Sequence, residues 1–402
     1  MKKIQAKRAD SLVPSRRRLP LAIWALGCGS LLMDTSSELV HSLSPVLLVN
    51  MLGASVVAVG MIEGVAEGTA AVTKVFAGAL SDYFRRRKTL IVLGYALAAL
   101  AKPLFPLATS ASWILAARFI DRMSKGIRDA PRDALVADIT AQTQRGAAYG
   151  LRQALDSVGA VLGPVLAVLL MLSFSGGIRA AMWVAVVPAV LAVLLVVFLL
   201  REPEQKRAAT REPPDWSKAR QLTGRYWLIV AVGAIFTAAR FSDSFLVLRA
   251  RDIGLSASYA PMIMVVLSCV YAAGSYPAGA ASDRLSPRSL LLVGLGFLIA
   301  ADVMLGLGRS IMLIFAGGAL WGVHMALTQG VFAKIVADFV PVDLRGTGFG
   351  IFDLARGLGF IIANVIAGWW WRSSGPPAAF FSAAAFATIA GIGLSVATRP
   401  RR

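Results

Sequence analysis

The sequence predicts an all-α membrane protein: twelve transmembrane helices arranged as two pseudo-symmetric six-helix bundles. Three observations predict it. Hydrophobic residues make up 57% of the 402-residue chain and charged residues only 16%, too apolar for an ordinary soluble domain. Apolar runs of about 20 residues, enough to cross a bilayer, recur with short polar breaks between them. One half of the chain also repeats the other at a nearly constant offset.

The expected spans are 19–49, 55–80, 89–108, 111–136, 149–173, 179–200, 225–248, 257–281, 289–307, 311–336, 346–371 and 378–398. A basic segment 1–18 precedes them. Its following apolar run is too long for a signal peptide and lacks a small-residue cleavage site, so it is expected to stay as the first helix. The polar, proline-containing stretch 201–224 is expected to link bundles at 19–200 and 225–398, with 399–402 as the C-terminal end.

The formal net charge of +19 raises the question of a nucleic-acid partner, and its distribution answers it. Basic residues gather at Lys2, Lys3, Lys7, Arg8 and Arg16–Arg18, at Arg85–Lys88, around Arg145, across 201–225, at Arg284 and Arg288, and at the C-terminus. These are alternate loops plus both termini, the positive-inside pattern, which places both termini in the cytoplasm of a multi-pass inner-membrane protein. The expected partners are the lipid bilayer and a small molecule, with no nucleic acid, and the chain is expected to act as a monomer. Cys28 and Cys269 have no metal-ligand spacing and are assigned to packing.

The repeat is visible in two places. "ADITAQTQRGAAYG" holds Asp138, Arg145, Gly146 and Gly150, and "ADFVPVDLRGTGFG" holds Asp338, Arg345, Gly346 and Gly350, an offset of 200 that Gly159 and Gly359 keep. "GALSDYFRRRK" and "GAASDRLSPRS" align Gly78 with Gly279 and Asp82 with Asp283 at 201. A duplicated six-helix unit places a substrate between the halves, near mid-membrane.

Gly78, Leu80, Ser81, Asp82, Arg86 and Arg87, in a loop after the second helix, resemble the loop signature of the major facilitator superfamily of secondary transporters. Arg85 departs from it where the family usually has Gly. Arg118 and Gly126 in "RFIDRMSKG" resemble the family's fourth-helix arginine motif. Gly159, Gly163 and Pro164 resemble a Gly-x-x-x-Gly-Pro motif associated with exporters that exchange substrate for protons, although Ala167 and Val168 stand where further glycines often follow. The resemblance covers nearly the whole chain. It implies proton-coupled efflux of a drug or metabolite by alternating access, with uptake or exchange of an anionic metabolite as the alternative. Apart from the resemblance, Asp82 with the basic cluster, Arg86 and Arg87, and the repeated Asp283 fit a cytoplasmic gate. Gly159, Gly163 and Pro164 fit close helix packing and a kink.

Ionisable groups inside a bilayer cost about 2.5–3.5 kcal/mol each, so their arrangement carries information. "MDTSSELVHSLSP" in helix one puts Asp34, Ser37, Glu38 and His41 on one face. Helix two carries Glu63, Glu67 and Lys74, and helix three carries Lys102. Helix four carries Arg118, Asp121, Arg122, Lys125, Arg128, Asp129 and Arg132, a stripe with a cationic excess. Arg152 and Asp156 follow in helix five, Arg240 and Asp243 in helix seven, His324, Gln329 and Lys334 in helix ten, and Asp353 and Arg356 in helix eleven. Depth alone pairs Asp34 or Glu67 with Lys102 or Arg118, and the i, i+4 relation pairs Arg152 with Asp156.

The family's first helix of each three-helix unit lines the central cavity. This carries Asp34, Glu38, Arg118, Arg122, Arg240, Asp243 and His324 over as cavity candidates. Asp34, Glu38 and then Glu67 are the expected proton carriers. A cationic helix four fits a substrate with a carboxylate or phosphate. No Walker loop, H-E-x-x-H, nucleophile elbow or cysteine cluster is present, so an enzyme is not expected, and neither a cofactor nor a metal is implied.

Overall fold

The computed structural model describes residues 19–84, 87–141, 144–173, 177–200, 222–282, 285–329, 340 and 345–397. Among the described residues there is no strand, and helices occupy each of the twelve expected spans. The first bundle begins with α1, Leu21–Val46, which runs on as a π-helical turn at Leu47–Met51. α2 is Val56–Phe84, and α3, Arg87–Ala101, tightens into a 3-10 turn at Lys102–Leu104 where Pro103 enters. α4, Ala111–Ile139, starts where the Ser110 hydroxyl accepts the Trp113 N–H at 3.3 Å. α5 is Arg145–Ser173, and α6 is split into α6a, Gly177–Val184, and α6b, Val186–Leu199.

The second bundle has α7a, Gly224–Ala238, α7b, Ser244–Asp252, α8, Met262–Ser282, and α9, Pro287–Leu307. α10, Ile311–Thr328, α11, Arg345–Ser374, and α12, Pro376–Ala397, complete it. The expected linker lies largely outside the described residues.

Two spans expected to be continuous are broken. At Ala185 between α6a and α6b, the carbonyl accepts the Ser36 hydroxyl at 2.6 Å, a partner from α1 that shares it with the Ala189 N–H at 3.4 Å. Between α7a and α7b the Ser242 N–H donates to Asn364 Oδ1 at 2.9 Å, and the Ser244 N–H donates to Ser242 Oγ at 3.2 Å. Short polar side chains offer the backbone an alternative to the helical ladder, and "FSDSF" uses it.

The internal repeat is reproduced in the packing. A Cβ on Gly94 would lie 2.8 Å from the Ser124 carbonyl, and one on Gly294 would lie 3.8 Å from His324 Nδ1, so α3 meets α4 as α9 meets α10, 200 residues on. Likewise a Cβ on Gly159 of α5 would lie 3.1 Å from the Asp34 Cβ of α1, and one on Gly359 of α11 would lie 2.5 Å from the Ala234 carbonyl of α7a. Among the described residues seven helices are long and apolar enough, by length and composition, to cross a membrane; α1 and α4 are not among them because they carry the polar stripes. Those stripes face other helices: His41, Arg118, Asp121, Arg122, Arg128 and Arg132 are buried, and Asp34, Glu38, Lys125 and Asp129 are half-buried. Lipid-like surface lies elsewhere, at exposed residues such as Phe76, Phe198 and Ile392.

The halves meet along α2 and α11. Gly64 of α2 lies against Ile361, Gly68 faces Ile361 and Gly357, and a Cβ on Gly368 would come within 2.9 Å of the Val57 Cα. Absent side chains on this seam let the two backbones approach. The seam runs from Val57 to Ala71, the half of α2 next to the α1–α2 loop. α5 packs against α8 as a second contact between the halves.

Candidate functional site

α4 supplies the backbone of the site. Arg118, Asp121, Arg122, Lys125, Arg128, Asp129 and Arg132 recur at a spacing close to 3.5 residues and so form one face about 21 Å long at 1.5 Å per residue. Most of this face is neutralised by neighbours. Lys102 of α3, fully buried, donates to Asp121 at 2.5 Å and to the Ser37 hydroxyl at 2.8 Å. Arg122 lies 3.3 Å from Glu67. Arg128 lies 3.4 Å from Asp34 and stacks over the Tyr95 ring at 4.9 Å. Arg132 reaches Asp129 at 3.3 Å and the Ser30 hydroxyl at 2.7 Å. On α5, Arg152 pairs with Asp156 at 3.1 Å, the expected i, i+4 contact, and lies 3.5 Å from Asp133.

The expected pairing of Asp34 or Glu67 with Lys102 or Arg118 does not occur. Lys102 takes Asp121 because α3 and α4 are neighbours in one short hairpin, and Arg118 takes Glu63 at 2.5 Å, both side chains 1% exposed. Spacing along α1 and α2 fixed a face for each carboxylate and left its depth opposite α4 undetermined.

Arg118 belongs to a chain of contacts that crosses between the halves. Its guanidinium also donates to His41 Nδ1 at 2.5 Å, and His41 Nε2 lies 2.7 Å from Asp243 in the break of α7. Ser242 adds a hydroxyl donated to Glu63 at 3.3 Å. Since arginine can only donate, His41 Nδ1 must accept, and the proton sits on Nε2, facing Asp243.

Beyond this chain, toward the other end of the bundle, two cavities open. The larger, about 440 Å³, extends from Asp34 and Glu38 to Asp133 and Arg152 at the α4–α5 junction, with Tyr271 and Gln329 contributed by the second half. The smaller, about 230 Å³, lies between α2, α4, α7 and α11 and includes Glu67, Arg240, Asp353 and Arg356. Lys74, Lys125 and Asp129 line both. Glu38 differs from the other acidic residues of the larger cavity: among the described residues it has no ion-pair or hydrogen-bond partner, and the charges that act on it include His41, Asp243, Arg122 and Lys125. Behind it, a Cβ on Gly163 of α5 would lie 2.6 Å from the Glu38 Cβ, so α5 fixes the back of this part of α1.

The sequence profile of the Major Facilitator Superfamily matches residues 26–248 and again residues 228–402. The chain belongs to the major facilitator superfamily. An uncharacterised MFS-type transporter of Methanocaldococcus jannaschii is 31% identical over 372 residues, covering 88% of this chain and 89% of that one. The multidrug resistance protein MdtL of Citrobacter koseri is 26% identical over 316 residues, covering 74% of this chain and 79% of MdtL. Among solved structures, the nucleoside transporter NupG superposes with a TM-score of 0.76 at 11% identity, covering 94% of this chain and 100% of that one, a likeness of fold. The protein is therefore a multi-pass membrane transporter and not an enzyme.

Within this major facilitator fold, the residues expected to line a cavity separate into three groups. Asp34, Glu38, Arg122 and Arg240 line the cavities described above. Arg118 and Asp243 instead form the contact chain between halves. His324 is buried inside the second bundle, its Nδ1 2.8 Å from the Gly294 carbonyl and its ring stacked on Phe236, and it lines neither cavity. Of the gate residues, Gly78 lies in α2, where an added Cβ would lie 3.5 Å from the Ala130 Cβ of α4, and Arg87 lies 3.2 Å from Asp138. The Asp82 side chain, Arg86, Asp283 and Lys334 lie outside the described residues. Lys74 and Lys125 were legible only as members of stripes, and Ser242 and Asn364, polar residues in apolar spans, were the available signal for the broken α7.

Proposed function

We propose that this transporter exports a small organic molecule across the inner membrane in exchange for protons, the two bundles alternately exposing the cavity between them, with the protein acting as a monomer. The observation that carries this reading is Glu38: a carboxyl with no direct ion-pair or hydrogen-bond partner among the described residues, in the wall of a cavity between two halves. As the cavity alternately meets water and closes, such a group can take up a proton in one state and release it in the other. Asp34 and Glu67, each held by an arginine, are better suited to structure than to proton carriage. By the positive-inside rule the α2–α3 loop and both termini are cytoplasmic, so the cavities face the cytoplasm and the α2–α11 seam closes the outer side. The export direction draws on the similarity to MdtL. Uptake or exchange of an anionic metabolite is the second reading, favoured by the unpaired cations of the smaller cavity.

The test uses everted vesicles with an imposed pH gradient and a panel of labelled organic compounds. Gradient-dependent accumulation inside supports export. Glu38→Gln is expected to abolish that accumulation while substrate exchange without a gradient persists; Asp34→Asn and Glu67→Gln retain coupling. Full gradient-driven accumulation in Glu38→Gln would overturn the assignment.

A further inference from the structure

We infer that the smaller cavity is a binding site for an organic polyanion, a small molecule with at least two negative charges such as a polycarboxylate or a phosphorylated compound. The inference deepens the transport reading above by naming its substrate class, and it holds for either direction of movement.

The argument is a charge balance within the chamber. Its acidic members are already neutralised: Glu67 by Arg122, Asp129 by Arg128 and Arg132, and Asp353 by Arg356 at 3.9 Å. Arg122, Arg128 and Arg132 sit outside this cavity's wall, so they cancel its carboxylates without occupying it. Lys74, Lys125 and Arg240 remain. Among the described residues none of the three has a carboxylate within salt-bridge distance or a hydrogen-bond partner. They come from α2, α4 and the break of α7, so both halves contribute.

Elsewhere on α4 the protein pairs its buried cations closely, which makes three unpaired ones around one chamber a selective feature. None of the three is fully buried, so water solvates them while the chamber is open. When the halves close over the chamber that water is lost, and a ligand bearing two or more anionic groups replaces it with charge-assisted hydrogen bonds. Arg240 lies next to Ser242 and Asp243, where the chain of contacts between halves begins. A ligand on Arg240 therefore pulls on the segment that holds the outer side closed. Apart from Thr237, the remaining wall is apolar, from Ala70, Ala71, Gly126, Gly357 and Phe360, which fits a compact carbon skeleton beneath the charged groups.

The test is equilibrium binding to the purified full-length protein, without a membrane gradient. The probes are benzene-1,3-dicarboxylate and benzene-1,3,5-tricarboxylate, with benzamide and benzyltrimethylammonium as neutral and cationic counterparts. Thermal stabilisation and calorimetry are expected to show binding of the two anions, tighter for the trianion and weakened by salt. Lys74→Gln and Arg240→Gln are each expected to weaken it by about tenfold or more, Arg240→Lys less, and Arg309→Gln, in the exposed α9–α10 loop, not at all. Gel filtration of each variant shows that it is folded. Neutral or cationic probes binding as tightly as the dianion, anion binding indifferent to both glutamine substitutions, or no anion binding at millimolar concentration would each overturn the inference. Because no pH gradient is used, anion binding with failed proton coupling removes the coupling and keeps the substrate class. Coupled transport of uncharged compounds with no anion binding does the reverse.

Discussion

His41 Nε2 lies 2.7 Å from Asp243 Oδ1, joining α1 of the first bundle to the break in α7 of the second. The contact is the last link from Glu63 through Arg118 to the other half, and each link is oriented by the one before it. Because Arg118 holds the tautomer, His41 has one proton to offer and Asp243 is where it goes. Asp243→Ala removes the acceptor and leaves a buried N–H unpaired, which weakens closure of the adjacent α2–α11 seam. The expected outcome is faster thiol labelling of Ile361→Cys, a half-buried seam position against Gly64 and Gly68, in a background with Cys28 and Cys269 replaced by serine. His41→Ala combined with Asp243→Ala should add little to either alone. Unchanged labelling in Asp243→Ala would show that the pair does not govern closure.

Lys102 and Asp121 form a secluded ion pair of the first bundle, at 0% and 5% side-chain exposure. Lys102→Met leaves Asp121 charged and buried, an error that costs about 3–5 kcal/mol in comparable sites. A large fall in the unfolding midpoint is expected. Lys102→Met with Asp121→Leu removes both charges and should recover most of the loss. A double variant no more stable than the single one would mean that the pair itself contributes the stability.

Gly163 allows α5 to lie directly on α1. An added Cβ would sit 2.6 Å from the Glu38 Cβ and 2.7 Å from the Leu39 nitrogen, and the backbone nitrogen cannot yield. Gly163→Ala is expected to cost about 1–3 kcal/mol through overpacking and to displace Glu38 from its place in the cavity wall. Gly150→Ala on the same helix, where nothing lies within 4 Å, serves as the control and should be neutral or mildly stabilising. Equal unfolding midpoints for the two variants would contradict the close approach.

The sequence made the helices and their polar faces visible because both depend on local periodicity: Asp34, Ser37, Glu38 and His41 share a face for any helix built from that stretch. Partners depend on how helices are rotated and shifted against one another, which no single helix records. Arg118 therefore found Glu63 instead of Asp34 or Glu67, and His41 joined Arg118 to Asp243. The α7 break was legible in principle in Ser242, Asp243 and Ser244, but its fixing partner, Asn364, is 122 residues away. His324 looked like a cavity residue because it lies on the tenth helix, and the rotation of that helix turns it onto α9.

Asp302 of α9 stands 200 residues after Lys102 and is fully buried, yet neither of its carboxylate oxygens has a hydrogen-bond partner. The counterpart of Asp121 on α10 is Trp321, so the second bundle lacks a group to pair with Asp302 where the first has one for Lys102. A buried polar group without partners costs stability, and an apolar side chain of similar volume fits the same space. Asp302→Leu is accordingly expected to raise the unfolding midpoint of the purified protein, by an amount comparable to the loss in Lys102→Met but opposite in sign, while pH-gradient-driven transport is retained. Asp302→Asn separates charge from polarity: it should lie between the parent and Asp302→Leu in stability. Loss of coupled transport in a stable Asp302→Asn variant would overturn the structural reading and place this carboxyl on the proton path.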